Sequence, residues 1–345
     1  MHAIIYTAAG GLEVLALRDV PTPEPGPNQV RVRVRAAGLN RADILQRKGA
    51  YPAPPGWPAD IPGLEYAGEV DAAGSGVTRW RPGDRVMGLA GGGAHAEYLV
   101  VHEDEALPAP ADLSWTDAAA IPEAFLTAWD ALTTRGRLIP GETVLIHAVA
   151  SGVGTAAVQL AKTLGATVLG TSRTPAKLDA LRALGLDVAI DTSKRSFREQ
   201  ITTPVHLILD VLGGPAFQDN LAVLAPRGRL VMLGFLQGAL VPDANLGPIL
   251  RQRLEVVGSV MRTRSLEERV ELVAAFREQV LPLFQAEGRK GGQADGTPTD
   301  RPSAVPPSRP PVRPVVHAVY PFSDLAAAHG AMERNEGVGK IVLTW

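Results

Sequence analysis

The 345-residue chain has no cysteine. A disulfide framework and a thiolate-held structural zinc are therefore excluded, and the composition fits a cytoplasmic protein. Charge of one sign is missing too: the net charge is −2, with no basic run. Nucleic acid and anionic membrane surfaces are therefore poor partners for it. No apolar run is long enough to span a bilayer. The first residues, MHAIIYTAAGG, have no signal-peptide anatomy, and no internal repeat is visible. The apolar fraction is 46%, as in a globular protein, and the length favours two domains over one core.

The strongest positive feature is residues 143–173, TVLIHAVASGVGTAAVQLAKTLGATVLGTSR. It reads as strand, glycine turn, helix, strand. A short apolar run fits a buried parallel strand. Ser151, Gly152, Val153 and Gly154 follow, with Ala157 in the third place of a G-x-G-x-x-A pattern. Apolar residues at 153, 156, 157, 160, 161 and 164 make the stripe of a helix lying on a sheet. Gly165 is placed to end that helix. Such a unit binds pyrophosphate: the glycines permit a tight turn and close backbone approach, and the helix N-terminus supplies free N–H groups. The competing reading is a βαβ turn whose glycines serve packing alone.

The end of the second strand sets the cofactor preference. An NAD site places Asp or Glu there for the ribose hydroxyls. This chain has Thr171, Ser172 and Arg173, with Lys177 one helical turn on. Hydroxyls and two cations suit a 2′-phosphate, so the expected cofactor is NADPH. The alternative is that Arg173 and Lys177 are solvated surface cations.

Short strands separated by glycine and proline turns are expected over the first third, at 2–6, 12–19, 29–36, 65–72, 85–89 and 94–101. Helices follow at 116–120 and 122–134. From about residue 142 strands and helices alternate, with strands at 144–147, 167–171, 188–191, 205–210, 229–233 and 256–260. That alternation argues for a parallel sheet covered on both faces. A helix pair or one long helix is expected over 263–286. A strand at 317–321, an N-cap at Ser323, a helix over 324–335 and a closing strand at 339–344 complete the chain. The stretch 288–314 is rich in Pro, Arg, Gly and Ser and lacks aromatics. It reads as a disordered surface insertion, with a proline-rich docking ligand as the alternative.

Several motifs carry a family resemblance: GLNRADILQRKGAY, IPGLEYAGEV, IPEAFLTAWDAL, ASGVGTAA, MRTRS, VVHAVYPFSDLAAAH and GKIVL. Together they resemble the zinc-free quinone oxidoreductases of the medium-chain dehydrogenase/reductase superfamily. The likeness is greatest to the tumour-suppressor-inducible branch (zeta-crystallin-like), and it spans the chain apart from about 288–311. It implies an α/β fold: a GroES-like β-rich catalytic domain plus a Rossmann doubly wound parallel-sheet domain. The implied domains are residues 1–122, 123–264 for NADP binding, and 265–345 returning to the first. The superfamily's alcohol dehydrogenases hold catalytic zinc with a cysteine near Asn40 and a histidine near Leu64. Neither ligand is present, so no Lewis acid is on hand to make an alkoxide.

The resemblance also implies roles. Tyr51 and Asn40 line the cofactor–substrate cleft and are the expected catalytic residues, Tyr51 as hydrogen-bond donor to a quinone carbonyl. A phenol with a pKa near ~10 stays protonated at neutral pH. The alternatives are a loop tyrosine packed on proline and a turn asparagine. Asn40, Thr127, Ser151–Gly154, Gly234, Phe235, Met261, Arg262 and Lys340 are expected at the cofactor. Where many relatives have a tyrosine near the adenosine, this chain has Thr192. The expected activity is NADPH-dependent quinone reduction by a homodimer. Reduction of an enone or enoyl thioester is the second reading, and a non-catalytic NADPH-sensing or RNA-binding protein the third.

Overall fold

The structure, a computed structural model, describes residues 1–284 and 312–345. The expected insertion at 288–311 lies outside the described residues.

The N-terminal third is built of short strands. β1 (His2–Tyr6) pairs antiparallel with β2 (Leu15–Asp19), which is shorter than expected because Leu12–Val14 form a 3-10 turn. β3 (Gln29–Leu39) alternates as QVRVRVRA requires: Val30, Val32 and Val34 are buried while Arg33 and Arg35 are exposed. From Asn40 the chain turns into α1 (Arg41–Arg47). β4 (Glu65–Ala73), β5 (Arg85–Leu89), β6 (Tyr98–His102) and β7 (Ala106–Pro108) follow. The strand expected from residue 94 begins only at Tyr98. Upstream, the backbone N–H groups of Ala94 and His95 are spent on the carbonyls of Gly63 and Pro62.

α2 (Trp115–Ala119) and α3 (Pro122–Trp129) lead out of this unit. Proline at the first position of α3 costs no hydrogen bond there. The expected helix over 122–134 is in fact α3 running into a wider π-helical turn at Asp130–Arg135.

The second sheet is wholly parallel. Its strands are β8 (Thr143–Ile146), β9 (Thr167–Ser172), β10 (Val188–Asp191), β11 (Val205–Asp210), β12 (Leu224–Met232) and β13 (Glu255–Gly258). They lie in the order β10-β9-β8-β11-β12-β13, a doubly wound arrangement that reverses direction between β8 and β11. α4 (Gly152–Thr163), α5 (Pro175–Arg182), α6 (Phe197–Gln200), α7 (Phe217–Val223) and α8 (Gly247–Gln252) accompany these strands. Ala156, Ala157, Leu160 and Ala161 of α4 are fully buried in one core with Val144, Phe125 and Leu126. A buried leucine such as Leu160 contributes about 1.5–3 kcal/mol.

α9 (Leu266–Gln279) starts at a capping box of Ser265 and Glu268 and ends before a 3-10 turn at Leu281–Phe284. One long helix is thereby excluded over the described part. The chain then returns to the first sheet as β14 (Val316–Pro321), α10 (Leu325–Glu333) and β15 (Lys340–Thr344). β15 pairs antiparallel with β3 and parallel with β14. Ser323 does not cap α10. It lies inside a 3-10 turn, Phe322–Asp324, and Asp324 stands at the cap without a side-chain bond.

Candidate active site

The reversal between β8 and β11 leaves a crevice at the carboxyl ends of the strands. There Ala148 adopts φ 46°, unusual for a residue with a side chain, and turns the chain into α4. Ser151 caps that helix, its Oγ accepting from the Gly154 N–H at 3.1 Å. Ser151 and Gly339 form a parallel bridge, which engages the Gly152 N–H, whereas the Val153 N–H meets no acceptor among the described residues. It is the free donor an anion would use. The glycines are fixed by contacts of their own. A Cβ on Gly154 would lie 2.4 Å from the Val149 carbonyl oxygen, and one on Gly152 would lie 2.5 Å from Cδ of Lys340.

Lys340 therefore lies along the glycine turn, but its ammonium points elsewhere. It meets the Glu65 carboxylate at 2.6 Å and donates to the Leu39 carbonyl at 3.0 Å and to Oδ1 of Asn40. Asn40 donates from Nδ2 to Oε1 of Glu65 at 2.9 Å. The second Glu65 oxygen accepts the N–H of Glu123 at 2.8 Å. Glu65 and Lys340 are both buried. The expected cofactor ligands Asn40 and Lys340 are thus joined to each other, and the Lys340 charge is already met by a carboxylate.

At the end of β9, Ser172 turns inward on its own loop, its Oγ accepting from the Thr174 N–H at 3.0 Å. Arg173 is exposed and has no partner among the described residues. Lys177 donates to the Asn335 carbonyl, and desolvation holds its amine below the usual lysine range despite the opposing pull of Glu336. Of the two expected phosphate ligands, one is free and one is tied to the loop after α10.

The third group forms a cleft. Tyr51, Met261 and Arg262 line it together with Glu123 and Trp57. The Arg262 guanidinium sits 4.5 Å over the Tyr51 ring. One of its terminal nitrogens donates to the carbonyls of Tyr51 and Pro52 at 2.7 and 3.1 Å, and the other to Oε1 of Gln46 at 2.6 Å. Arg262 thus ties the Tyr51 loop to Gln46 of α1 through the two ends of its fork. The segment that carries it is anchored by Arg264, which reaches the buried Asp130 carboxylate at 2.5 Å. The Tyr51 hydroxyl makes no hydrogen bond among the described residues. Burial, and secondarily the Glu123 charge, push its pKa up to about 12, with Arg262 opposing. The phenol stays protonated and free to donate.

Thr127 lies one helical turn beyond Glu123 on α3, on the same face. Its Oγ1 is closed off from solvent without a partner. Gly234 follows β12, and a Cβ built there would rest in ordinary contact with Val211, its nearest atom 3.7 Å away. Phe235 is 54% exposed and is not part of the cleft wall. A free amide at Val153 in the glycine turn and an orphaned hydroxyl at Thr127 fit a pyridine dinucleotide. Among the described residues no group of three or more His, Asp or Glu is placed to hold a metal. No described helix is long and apolar enough to cross a membrane.

Residues 152–276 match the family described as zinc-binding dehydrogenase, and residues 26–111 the alcohol dehydrogenase GroES-like domain. Quinone oxidoreductase of Pseudomonas aeruginosa is 38% identical over 292 residues, 82% of this chain and 87% of that protein. The chain belongs to the medium-chain dehydrogenase/reductase superfamily. Among solved superfamily members, quinone oxidoreductase of Thermus thermophilus, also solved with NADPH, superposes with a TM-score of 0.80 at 34% identity, over 100% of both chains. CurK enoyl reductase superposes with a TM-score of 0.80 at 25% identity, over 99% of this chain and 98% of its own. The superfamily fold is that of a pyridine-nucleotide-dependent oxidoreductase. Two carboxylates of the site, the buried Glu65 and the cleft-lining Glu123, were not singled out by sequence reasoning. Each stands alone in an apolar run, IPGLEYAG and IPEAFL, and that isolation was the available signal.

Proposed function

We propose that the chain is an NADPH-dependent quinone oxidoreductase that works without zinc. The observation that carries the proposal is the Tyr51 cleft, where an unpaired phenol is held by Arg262, and whose wall includes Glu123, one helical turn before the orphaned Thr127 hydroxyl on α3. Ser151–Gly154, Thr127 and Gly234 hold the nucleotide. Ser172, Arg173 and Lys177 select the 2′-phosphate. When bound, the nicotinamide supplies a hydride. The chain's own task is to orient a flat electrophile and polarise one carbonyl, which Tyr51 does by donating a hydrogen bond. Asn40, near the position of a zinc ligand in the superfamily's alcohol dehydrogenases, is committed to Glu65 and Lys340.

A cytoplasmic homodimer fits this reading. β13 is the last strand of its sheet, its Val256 is exposed, and Leu250 of α8, just before it in the chain, is 83% exposed, an apolar edge that a second copy would cover. Extended chelation followed by elemental analysis tests the metal-free part of the proposal. The rate of quinone reduction should be unchanged and no stoichiometric zinc found. A chelator-sensitive rate restored by zinc would overturn it.

The second reading, reduction of an enone or enoyl thioester, draws support from the likeness to CurK enoyl reductase and from a cleft that carries an acidic side chain, Glu123.

A further inference from the structure

Glu123 has no role in the quinone reading above, yet it lines the same cleft as Tyr51. It is the second residue of α3, one turn before Thr127, and it faces the same cleft as Tyr51 and Arg262. Its main-chain N–H is pinned to Glu65 at 2.8 Å, which fixes where the side chain starts. Its carboxyl has no hydrogen-bond or ion-pair partner among the described residues. The other charged side chains of the cleft are engaged: Glu105 pairs with Arg269 at 2.5 Å, and Arg262 spends its fork on the Tyr51 loop and Gln46. A carboxyl that satisfies nothing in the fold and opens onto the substrate space is costly to keep there.

The geometry points to Glu123 as the acid that supplies the proton completing the reduction, a catalytic residue distinct from Tyr51. This inference rests on the proposed quinone reduction. A quinone that takes a hydride from the dihydronicotinamide has gained two electrons and one hydrogen, and is left with one anionic oxygen. That oxygen takes the proton of the Glu123 carboxyl: the acid's O–H bond breaks, the hydroquinone O–H forms, and the carboxylate is reprotonated from water. Tyr51 is less suited to the transfer, because its phenol is held to about 12 and is better at donating a hydrogen bond than at giving up a proton.

The surroundings keep Glu123 protonated near neutral pH. Its pKa is raised to about 8, first by desolvation and then by the Glu65 carboxylate of β4, with Asp43 of α1 adding to the effect. Lys340 of β15 and Arg262 of the segment after β13 oppose it. Lys340 is held by Glu65, and Arg262 by the Tyr51 loop and Gln46, so neither cation is free to pair with the charged form of Glu123.

The test compares the wild-type chain with Glu123→Gln and Tyr51→Phe. In the wild type, kcat for quinone reduction should fall as pH rises through about 8. Glu123→Gln should lose that limb and lower kcat by at least about tenfold below it, with the KM for quinone little changed. Tyr51→Phe should keep the limb. An arm without turnover follows the carboxylic-acid infrared band between about pH 6 and pH 10. The band should disappear in the wild type as pH rises and be missing from Glu123→Gln, whatever that variant's activity. A limb and a rate retained in Glu123→Gln would overturn the assignment while leaving quinone reduction standing. If the Gln variant fails to fold, a wild-type band constant across the range overturns it instead. A wild type that turns over enones but no quinone would remove the proposed function, and this inference with it.

Discussion

The Lys340 ammonium and the Glu65 carboxylate meet at 2.6 Å, both side chains almost wholly buried. The pair joins three parts of the site. Lys340 lies against Gly152 of the glycine turn, Glu65 accepts from Asn40, and the same carboxylate fixes the Glu123 N–H. Lys340→Ala should therefore destabilise the chain by about 3–5 kcal/mol, because it leaves a buried carboxylate unpaired. Replacing both partners, Lys340→Met with Glu65→Gln, should cost much less. Urea unfolding of the wild type and the two variants checks this, and equal losses in the single and double variants would contradict it.

Tyr51→Phe should lower kcat/KM for quinone by about tenfold, one hydrogen bond of roughly 1–3 kcal/mol at its low end, since quinones are intrinsically reactive. NADPH affinity should stay nearly constant. The ring itself carries the Arg262 contact, so Tyr51→Ala should be worse than Tyr51→Phe. A fully active Phe variant would reduce Tyr51 to a wall of the cleft.

The preference for NADPH over NADH should be eroded at least tenfold by Arg173→Ala with Lys177→Ala, given about 1.5–3 kcal/mol for each charged contact. Arg173→Ala alone should account for most of this, because Lys177 is already bound to the Asn335 carbonyl. Ratios of kcat/KM for the two cofactors decide it. Equal use of both by the unmutated chain would sink the assignment.

Stability should depend on pH through Glu123. Folding raises this carboxyl from 4.5 to about 8. Between those values the native chain holds a proton that the unfolded chain has lost, so Glu123 makes stability fall as pH rises through that window. Below it the effect vanishes. Glu123→Gln should therefore have a higher Tm than the wild type at alkaline pH, the advantage shrinking as pH is lowered towards 4.5. A Tm difference constant across the range would contradict this.

Much of the fold was legible because it rests on local pattern. The alternating QVRVRVRA is β3, and the spacing of apolar residues after Ser151 is α4. Strands 85–89, 188–191 and 205–210 fall where expected. What was not legible depends on contacts distant in sequence. The backbone around residue 95 is spent on the loop at Pro62 rather than in a strand. The order of the parallel strands, set by crossovers, was equally invisible to a window of residues. The same holds for the site. Ser151 and the glycines announce themselves by spacing, and Tyr51 by resemblance. That Lys340 turns to Glu65, and that Arg262 clamps the Tyr51 loop 211 residues away in sequence, required the folded chain. Glu123 looked like one acid at the start of a helix, a common place for one. Its meaning comes from Glu65, Tyr51 and Arg262 converging around it.

The most direct measurement is steady-state oxidation of NADPH against a panel of quinones and enones, with kcat/KM determined for each. Quinones should be reduced faster than any enone or enoyl thioester, and faster with NADPH than with NADH. Enones turned over ahead of quinones, or no quinone turnover at all, would contradict the proposal.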